Sequence, residues 1–362
     1  DLQVIAWMRE QASRHGVIYW FRLYLTAVAI AAAASVLARV IPSLSQLFLA
    51  LALLKWAFFF MLTYATFAAP VVKRQLWLFA FAMELILGVG GYFSDFKTVL
   101  FVSMLSIAAV GIRFSIGRIV VLSGLAALTL VLAVVWTGVK VEYREFVSEG
   151  EQAQVVTVDY MTRMSKLVQL VSDLDEHGFA RAVDGGLQRM SYVDFFGNTL
   201  LQVPRRVAHT DGALWFDAAA RPFMPRVLFP GKSVIDDSAR TRQFTGIRVT
   251  SAERGASISI GYLGESYIDF GKYLMMLPVV VYGIVLGWLY RWLAYRSRAR
   301  GLLGMGMATA VLLGAFALET SITKVLGGLA AAALVCWLLL RFLPTRYLPD
   351  LLSPLGASKG LS

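Results

Sequence analysis

The sequence predicts an all-α polytopic membrane protein with about eight transmembrane helices and one large polar loop between the fifth and the sixth. Three observations lead to this prediction. The chain is 58% hydrophobic and only 16% charged, whereas an ordinary soluble domain is roughly 25% charged. Apolar runs long enough to cross a bilayer occupy both ends of the chain. The basic residues alternate between loops in the way expected of a membrane protein.

Candidate spans are the mostly apolar segments of about 20 residues that a bilayer requires. They lie at 18–40, 44–69, 75–93, 98–113, 119–138, 273–294, 302–321 and 324–342. Because the chain starts at Asp1 rather than at Met, we expect a truncated chain with further spans upstream. The single cysteine, Cys336, excludes an intrachain disulfide.

The orientation follows from the short loops, since cytoplasmic loops carry an excess of Lys and Arg. Every alternate loop agrees, which places both termini in the cytoplasm and residues 139–271 outside. We therefore divide the chain into an N-terminal bundle (1–138), a polar loop domain (139–271) and a C-terminal bundle with a cytoplasmic tail (272–362). The basic residues that define the cytoplasmic ends are Arg9, Arg14, Arg22, Lys73, Arg74, Arg113, Arg118, Arg291, Arg296, Arg298, Arg300, Arg341 and Arg346.

The net charge of +11 is mostly this topology signal. Residues 140–271 contain 15 basic and 17 acidic residues, so the positive excess lies in the rest of the chain. The charge therefore does not indicate nucleic-acid binding. The three histidines are scattered and no Cys/His spacing suits zinc, so we predict no metal site. We also predict no cofactor, because Arg226 stands where a phosphate-binding loop ending in Lys232 would need glycine.

The polar loop itself combines helical and irregular stretches. Residues 158–175 and 187–203 have helical periodicity, and Pro204 ends the second run. Residues 221–272 have no long periodicity and are rich in Gly, Pro, Arg and Asp. An irregular, arginine-rich loop on a helical base is more typical of a functional site than of a structural connection.

Five pieces of the chain resemble the Wzy-type polymerases of bacterial O-antigens and exopolysaccharides, also called oligosaccharide repeat-unit polymerases. They are 88–97 (GVGGYFSDFK), 139–144 (VKVEYR), 189–195 (RMSYVDF), 225–232 (PRVLFPGK) and 257–271 (SISIGYLGESYIDFG). Their order, and their position around one large loop, make the resemblance more specific than any single piece. The paired Arg-x10-Gly repeats of some O-antigen polymerases are absent from the sequence, as is the late His-Asn motif usual in O-antigen ligases.

The resemblance implies a glycosyl transfer at the periplasmic face of the bacterial inner membrane. A growing glycan leaves undecaprenyl diphosphate and joins a hydroxyl of the next lipid-linked repeat unit, without a metal. The implied partners are undecaprenyl-diphosphate-linked oligosaccharides, membrane lipids and a chain-length regulator or flippase of the same pathway. The alternatives are an O-antigen ligase, a flippase or transporter of a lipid-linked saccharide, and a non-catalytic scaffold of a secretion complex. The large outside loop and the few intramembrane charges disfavour a flippase.

This reaction needs cations at the leaving diphosphate and an acceptor for the proton of the attacking hydroxyl. Arg226 is the predicted catalytic cation, because a planar guanidinium suits phosphate oxygens. Glu265, just before the sixth span, is the predicted proton acceptor, with His209 and Glu319 next in line. The predicted substrate-binding residues are Arg189, Lys232, Arg254, Lys140, Arg144 and Tyr267.

Each of these residues also has a structural interpretation. The arginines suit surface ion pairs, and Lys140 and Arg144 suit lipid headgroups at the end of the fifth span. Glu265 suits a helix N-terminus, where the macrodipole favours an acid. Tyr262 and Tyr267 are aromatic residues of the kind expected at a membrane interface.

Two intramembrane charges form a separate prediction. Lys55 and Glu84 lie at similar depths in two spans that a short cytoplasmic turn connects. Unpaired charges in lipid are costly, and pairing is the usual solution. We therefore predict a contact between Lys55 and Glu84 that stabilises the bundle and has no catalytic role.

Overall fold

The computed structural model describes residues 2–69, 74–91, 95–111, 115–149, 158–191, 193–225, 228–229, 231–233, 235–249, 257–349 and 351–352. This described part of the chain is helical and contains no strand. The helices are α1 (Leu2–Ser13), α2 (Val17–Val40), α3 (Ser45–Leu53), α4 (Lys55–Ala68), α5 (Gln75–Val89), α6 (Phe96–Ala109), α7 (Ile116–Val147), α8 (Tyr160–Ser172), α9 (Glu176–Ser191), α10 (Val193–Gln202), α11 (Ala213–Ala220), α12 (Asp237–Thr245), α13 (Tyr262–Leu274), α14 (Met276–Arg291), α15 (Leu302–Leu312) and α16 (Ile322–Phe342).

Five helical segments of the described chain are long and apolar enough to cross a membrane. They are Val17–Val40, Pro42–Ala68, Ile116–Val147, Met276–Arg296 and Ile322–Phe342. Each coincides with a span predicted from the sequence, so the prediction of a helical membrane protein agrees with the structure. The count of eight spans does not follow from these helices.

The other three predicted spans coincide with shorter apolar helices, α5, α6 and α15. The 11 residues of α15 rise only about 16 Å at 1.5 Å per residue, roughly half of the hydrocarbon thickness of a bilayer. The predicted third span ends early because the chain turns at Gly88, whose carbonyl accepts a hydrogen bond from the Asp95 N–H at 2.8 Å. A Cβ on Gly88 would lie 2.8 Å from the backbone nitrogen of Phe96, which explains the glycine at this turn.

The predicted span 44–69 is two helices rather than one. α3 ends at Leu53, and α4 begins at Lys55. Between them the Leu54 N–H donates to the Leu51 carbonyl, three residues earlier, in a tightened turn. α15 packs closely against α4, because Gly306 leaves room for the Ala57 carbonyl: a Cβ there would lie 2.6 Å from this oxygen. The break between α3 and α4 therefore makes Lys55 the first residue of α4.

The polar segment is more helical than the sequence predicts. α8 confirms the helix predicted at 158–175. The helix predicted at 187–203 is instead the end of α9 followed by α10, with Pro204 just beyond. The stretch 221–272, predicted to be irregular, contains α12 and most of α13. α12 is short and mostly polar, and α13 is broken at Gly271, so neither produces a long periodic pattern.

The polar segment packs on one end of the membrane helices. The 32 residues of α7 span about 48 Å, more than the roughly 30 Å of a hydrocarbon core, so α7 extends beyond the bilayer. α8 and α9 pack on α7, and the hydroxyls of Tyr143 and Tyr160 donate to carbonyls at the end of α5, each at 3.3 Å. At the same end of the bundle, α12 and α13 meet the start of α16.

Candidate functional site

A buried carboxylate connects three helices at the start of α16. Glu265 of α13 is fully buried, and its two oxygens accept from different elements. Oε1 accepts from Nη1 of Arg240 in α12 at 2.9 Å, and Oε2 accepts from the backbone N–H of Ile322 at 2.7 Å. The carboxylate therefore satisfies a first-turn N–H of α16, where the helix dipole favours a negative charge.

A second ion pair lies beside the first. Oδ2 of the buried Asp237 in α12 is 2.7 Å from Nζ of Lys324 in α16. The hydroxyls of Ser321 and Ser257 also donate to this oxygen, each at 3.3 Å. Oδ1 of Asp237 is buried and has no hydrogen-bond partner among the described residues. Two carboxylates and two cations thus form a compact, neutral cluster between the polar segment and the membrane helices.

The contacts of Glu265 bear on its predicted role as a base. Burial raises the pKa of its carboxyl, while the Ile322 N–H and the Arg240 guanidinium act in the opposite direction. Both oxygens are already bonded and neither is open to solvent, so a substrate hydroxyl has no access to them in this conformation. Its catalytic role stays a prediction, and its contacts favour positioning of α12 and α16 instead.

One turn further along α13, Asp269 fixes the short helix α11. Its buried carboxylate accepts from the backbone N–H groups of Leu214 at 3.1 Å and Trp215 at 2.8 Å, and from the hydroxyl of Thr210. The indole N–H of Trp215 also donates to the hydroxyl of Ser266 at 3.0 Å. A carboxylate at a helix N-terminus satisfies otherwise unbonded N–H groups, so Asp269 holds the start of α11 against α13.

His209 lies beside this junction in an arrangement suited to a base. Its Nδ1 is 3.0 Å from the carbonyl oxygen of Ile268. Because a carbonyl only accepts, Nδ1 must carry the hydrogen, and in the neutral ring Nε2 is then free to accept a proton. The ring is half-buried and packs edge-on against Tyr267.

Gly271, next to this ring, is required by its backbone conformation, with a φ of +66° and a ψ of −175°. This conformation is essentially restricted to glycine, and it breaks α13 just before the chain enters α14.

An open cleft of about 590 Å³ lies between α11 and α13, and its first lining residue, Asp211, follows His209 by two positions in the chain. Its walls are mainly aromatic and glycine surfaces, with one carboxylate at the rim. Flat aromatic rings and a few polar groups are typical of sites that bind small ligands. The lining residues are Asp211, Gly212, Ala213, Trp215, Phe216 and Phe270.

The structure does not bring the predicted substrate-binding residues together. Lys232 donates from Nζ to the carbonyls of Arg221 and Met224, at 2.6 and 3.0 Å, and so closes its own loop. Tyr267 is buried and donates to the Val203 carbonyl at 2.9 Å, which leaves no exposed ring face for a sugar. Arg226, Arg254 and the side chain of Arg189 lie outside the described residues.

The C-terminal end of α7 is a poor place for a diphosphate. Lys140 is buried, and both Lys140 and Arg144 have contacts within the protein. The adjacent cleft between α7 and α8 is lined by several carboxylates, which repel anions: Glu142, Glu145 and Glu149. Glu319, the other alternative acceptor, is exposed in the turn between α15 and α16.

Sequence reasoning missed Asp237 and Arg240 as partners of Lys324 and Glu265. The acidic pair at 236–237 could have predicted the start of α12, because Asp is a preferred helix N-cap. Asp236 does cap α12, accepting from the Ala239 N–H at 2.8 Å. Without that helix, nothing indicates that Arg240 lies one turn after Asp237 and faces the same partner element.

The predicted contact of Lys55 and Glu84, by contrast, is confirmed: Nζ is 2.6 Å from Oε2, and the hydroxyl of Tyr24 donates to Oε1 at 2.7 Å.

Comparison with known proteins gives a family. A family model described as "Domain of unknown function (DUF8712)" matches residues 4–312. The chain belongs to this family. No curated protein and no solved structure matches it. The DUF8712 match includes the whole polar segment and ends at the last residue of α15, so the first two helices of the site, α12 and α13, belong to the family domain.

Proposed function

We propose that the chain is a polymerase of a bacterial surface polysaccharide. It transfers a growing glycan from undecaprenyl diphosphate to a lipid-linked repeat unit at the outer face of the inner membrane. In this proposal the eight apolar segments cross or enter the bilayer, both termini are cytoplasmic and residues 139–271 are periplasmic. The partners are the undecaprenyl-diphosphate-linked oligosaccharides, the surrounding lipids and a chain-length regulator or flippase of the pathway.

The observation that carries the proposal is that a histidine and an aromatic cleft occur at the same junction of α11 and α13. The imidazole of His209 has its acceptor nitrogen defined by the Ile268 carbonyl. In the proposal, the rings of Trp215 and Phe270 in this cleft pack against the apolar faces of a sugar. This arrangement supports a saccharide-processing site close to the ends of the membrane helices.

In the proposed reaction, Nε2 of His209 takes the proton of the acceptor hydroxyl. The hydroxyl oxygen forms a bond to the anomeric carbon of the growing chain while the bond from that carbon to the diphosphate oxygen breaks. Undecaprenyl diphosphate leaves with the bonding electron pair, and cations stabilise its charge. We retain Arg226 as the proposed cation, with Arg189 and Arg254 as further candidates, because a guanidinium binds two phosphate oxygens at once.

Glu265 is the alternative acceptor, and it would have to release Arg240 and Ile322 before it met a substrate. We therefore assign the Arg240–Glu265 and Asp237–Lys324 pairs a positioning role. They hold α12 against the start of α16, and thereby keep the polar segment over the membrane helices.

The proposal is tested by deletion of the gene in its own organism, followed by analysis of lipid-linked saccharides. A polymerase predicts that single repeat units accumulate on undecaprenyl diphosphate at the periplasmic face and that long surface polymer is lost. A ligase predicts that long chains accumulate on undecaprenyl diphosphate. A flippase predicts that repeat units stay on the cytoplasmic face. Either of the last two results, or unchanged surface polymer, would contradict the proposal.

A further inference from the structure

The polar segment exposes a row of large apolar side chains. Phe216 is 78% exposed and Phe223 is 83% exposed. Phe216, Ala219 and Phe223 are spaced three and four residues apart along α11 and the 3-10 turn Arg221–Phe223, so they share roughly one face. We call these three residues the α11 ridge. Leu228, shortly after the ridge in the chain, is 72% exposed.

The opposite face of α11 is joined to the membrane helices. Ala218 is fully buried, and both α11 and the turn that follows it pack against α16, which is long and apolar enough to cross a bilayer. Asp269 ties the start of α11 to α13, one turn from the contact of Glu265 with Ile322. The ridge is therefore carried by a helix that packs against a membrane helix and is hydrogen-bonded to α13 near the start of α16.

Further exposed apolar side chains follow where the chain enters α14. Phe216 and Phe270 line the same cleft, and Phe270 directly precedes the break at Gly271. After the break, Tyr273 is 90% exposed and Leu277 is 60% exposed. Large exposed apolar side chains that cluster in this way mark a binding or membrane surface rather than a surface that faces water.

The polar groups of the ridge segment are bonded to one another. Arg221 donates to Asp217 at 2.6 Å and to the carbonyl of Ser233 at 3.0 Å, and Lys232 donates to two carbonyls of the turn. Groups that are already bonded lose little when water is removed, whereas unpaired groups are costly in an apolar phase. The segment is thus suited to lie at the membrane interface with its apolar face in lipid.

We propose that the α11 ridge is inserted among the acyl chains of the leaflet at the start of α16. The partner is the bilayer itself, and the inference does not depend on the proposed enzymatic function. The polar segment is then not simply suspended in the periplasm. It enters the membrane surface through the α11 ridge.

The test uses single cysteines labelled with an environment-sensitive fluorophore in the full-length chain. Cys336 is buried and is replaced by Ala. Labels at Phe216→Cys and Phe223→Cys are compared with one at Arg205→Cys, an exposed position outside the ridge, and one at Ile284→Cys, exposed in the middle of α14. The variants are reconstituted in phosphatidylcholine–phosphatidylglycerol vesicles, after size-exclusion chromatography has shown that each is folded.

We expect phosphatidylcholine with a shallow doxyl label to quench the fluorescence of labels at positions 216 and 223. Aqueous iodide should not quench them. Position 284 should be quenched by deeper doxyl labels, and position 205 by iodide. If iodide quenches 216 and 223 as strongly as 205, the ridge faces water and the inference fails. If neither quencher reaches them, a second copy or another protein covers the ridge, and the inference fails in that case as well.

Discussion

The backbone N–H of Ile322, the first residue of α16, lies 2.7 Å from Oε2 of Glu265. The other oxygen of this fully buried carboxylate accepts from Arg240 at 2.9 Å. A buried charge is tolerated only when it is paired and hydrogen-bonded. The three helices that supply these groups, α12, α13 and α16, therefore stabilise one another, and the position of the polar segment depends on them.

We predict that Glu265→Ala destabilises the chain strongly. The substitution leaves the Arg240 guanidinium and a first-turn N–H of α16 without their acceptor, and removal of one partner of a buried pair costs about 3–5 kcal/mol. The melting temperature in detergent should fall. Glu142→Ala, at an exposed position of α7, is the control and should leave it unchanged.

Glu265→Gln separates positioning from catalysis, since the amide keeps an acceptor for the Ile322 N–H but cannot take a proton. Under the positioning role, activity falls in proportion to folded protein. A variant with normal melting that binds lipid-linked repeat units and does not join them would identify Glu265 as the base.

His209→Gln should slow polymerisation without loss of folded protein. Glutamine approximates the shape of the ring but cannot act as a base, and a general base typically contributes about 10²–10⁴-fold to a rate. The measurement is the rate of bond formation per folded molecule. The matched control is His177→Gln in α9, where the side chain is exposed. Equal rates for both variants would remove His209 from the proposed mechanism.

Lys55→Met should destabilise the bundle, because Glu84 is buried and would retain only the hydroxyl of Tyr24. The expected loss is again about 3–5 kcal/mol. The double variant Lys55→Met/Glu84→Gln should recover part of it, since no buried charge remains. Melting temperatures of the wild type, both single variants and the double variant give the coupling energy. Purely additive effects would show that the 2.6 Å contact contributes little.

The sequence was informative where one physical requirement acted over a long stretch. A bilayer demands apolar runs, and these runs located every apolar membrane helix that the structure describes. The cost of unpaired charge in lipid sufficed to predict the contact between Lys55 and Glu84. Helix ends were less predictable, because the turn at Gly88 and the break after Leu53 depend on local packing.

The contacts within the polar segment could not be predicted from the sequence in the same way. Arg240 is 25 residues from Glu265 along the chain, and each has many possible partners. The role of Asp269 at the start of α11 depends on a contact across more than 50 residues. The apolar residues of α11 were visible in the sequence, but in a loop assigned to the periplasm they did not suggest contact with a membrane helix.

The orientation of the chain has its own test. In a Cys336→Ala background, cysteines at exposed positions 173 and 205 should react with a membrane-impermeant thiol reagent in intact spheroplasts, and cysteines at exposed positions 14 and 296 should not. Labelling at 296 but not at 205 would show that the topology is the inverse of the proposed one, and would contradict the proposed function.

The most direct test of the central claim is polymerisation by the purified full-length chain in proteoliposomes. The substrate is a lipid-linked repeat unit extracted from the same organism, and the products are resolved by length while released undecaprenyl diphosphate is quantified. We predict a ladder of glycans that grows by whole repeat units, with one undecaprenyl diphosphate released for each bond formed, and a much slower ladder with His209→Gln. Intact single repeat units and no released undecaprenyl diphosphate, with folded wild-type protein in the vesicles, would contradict the claim.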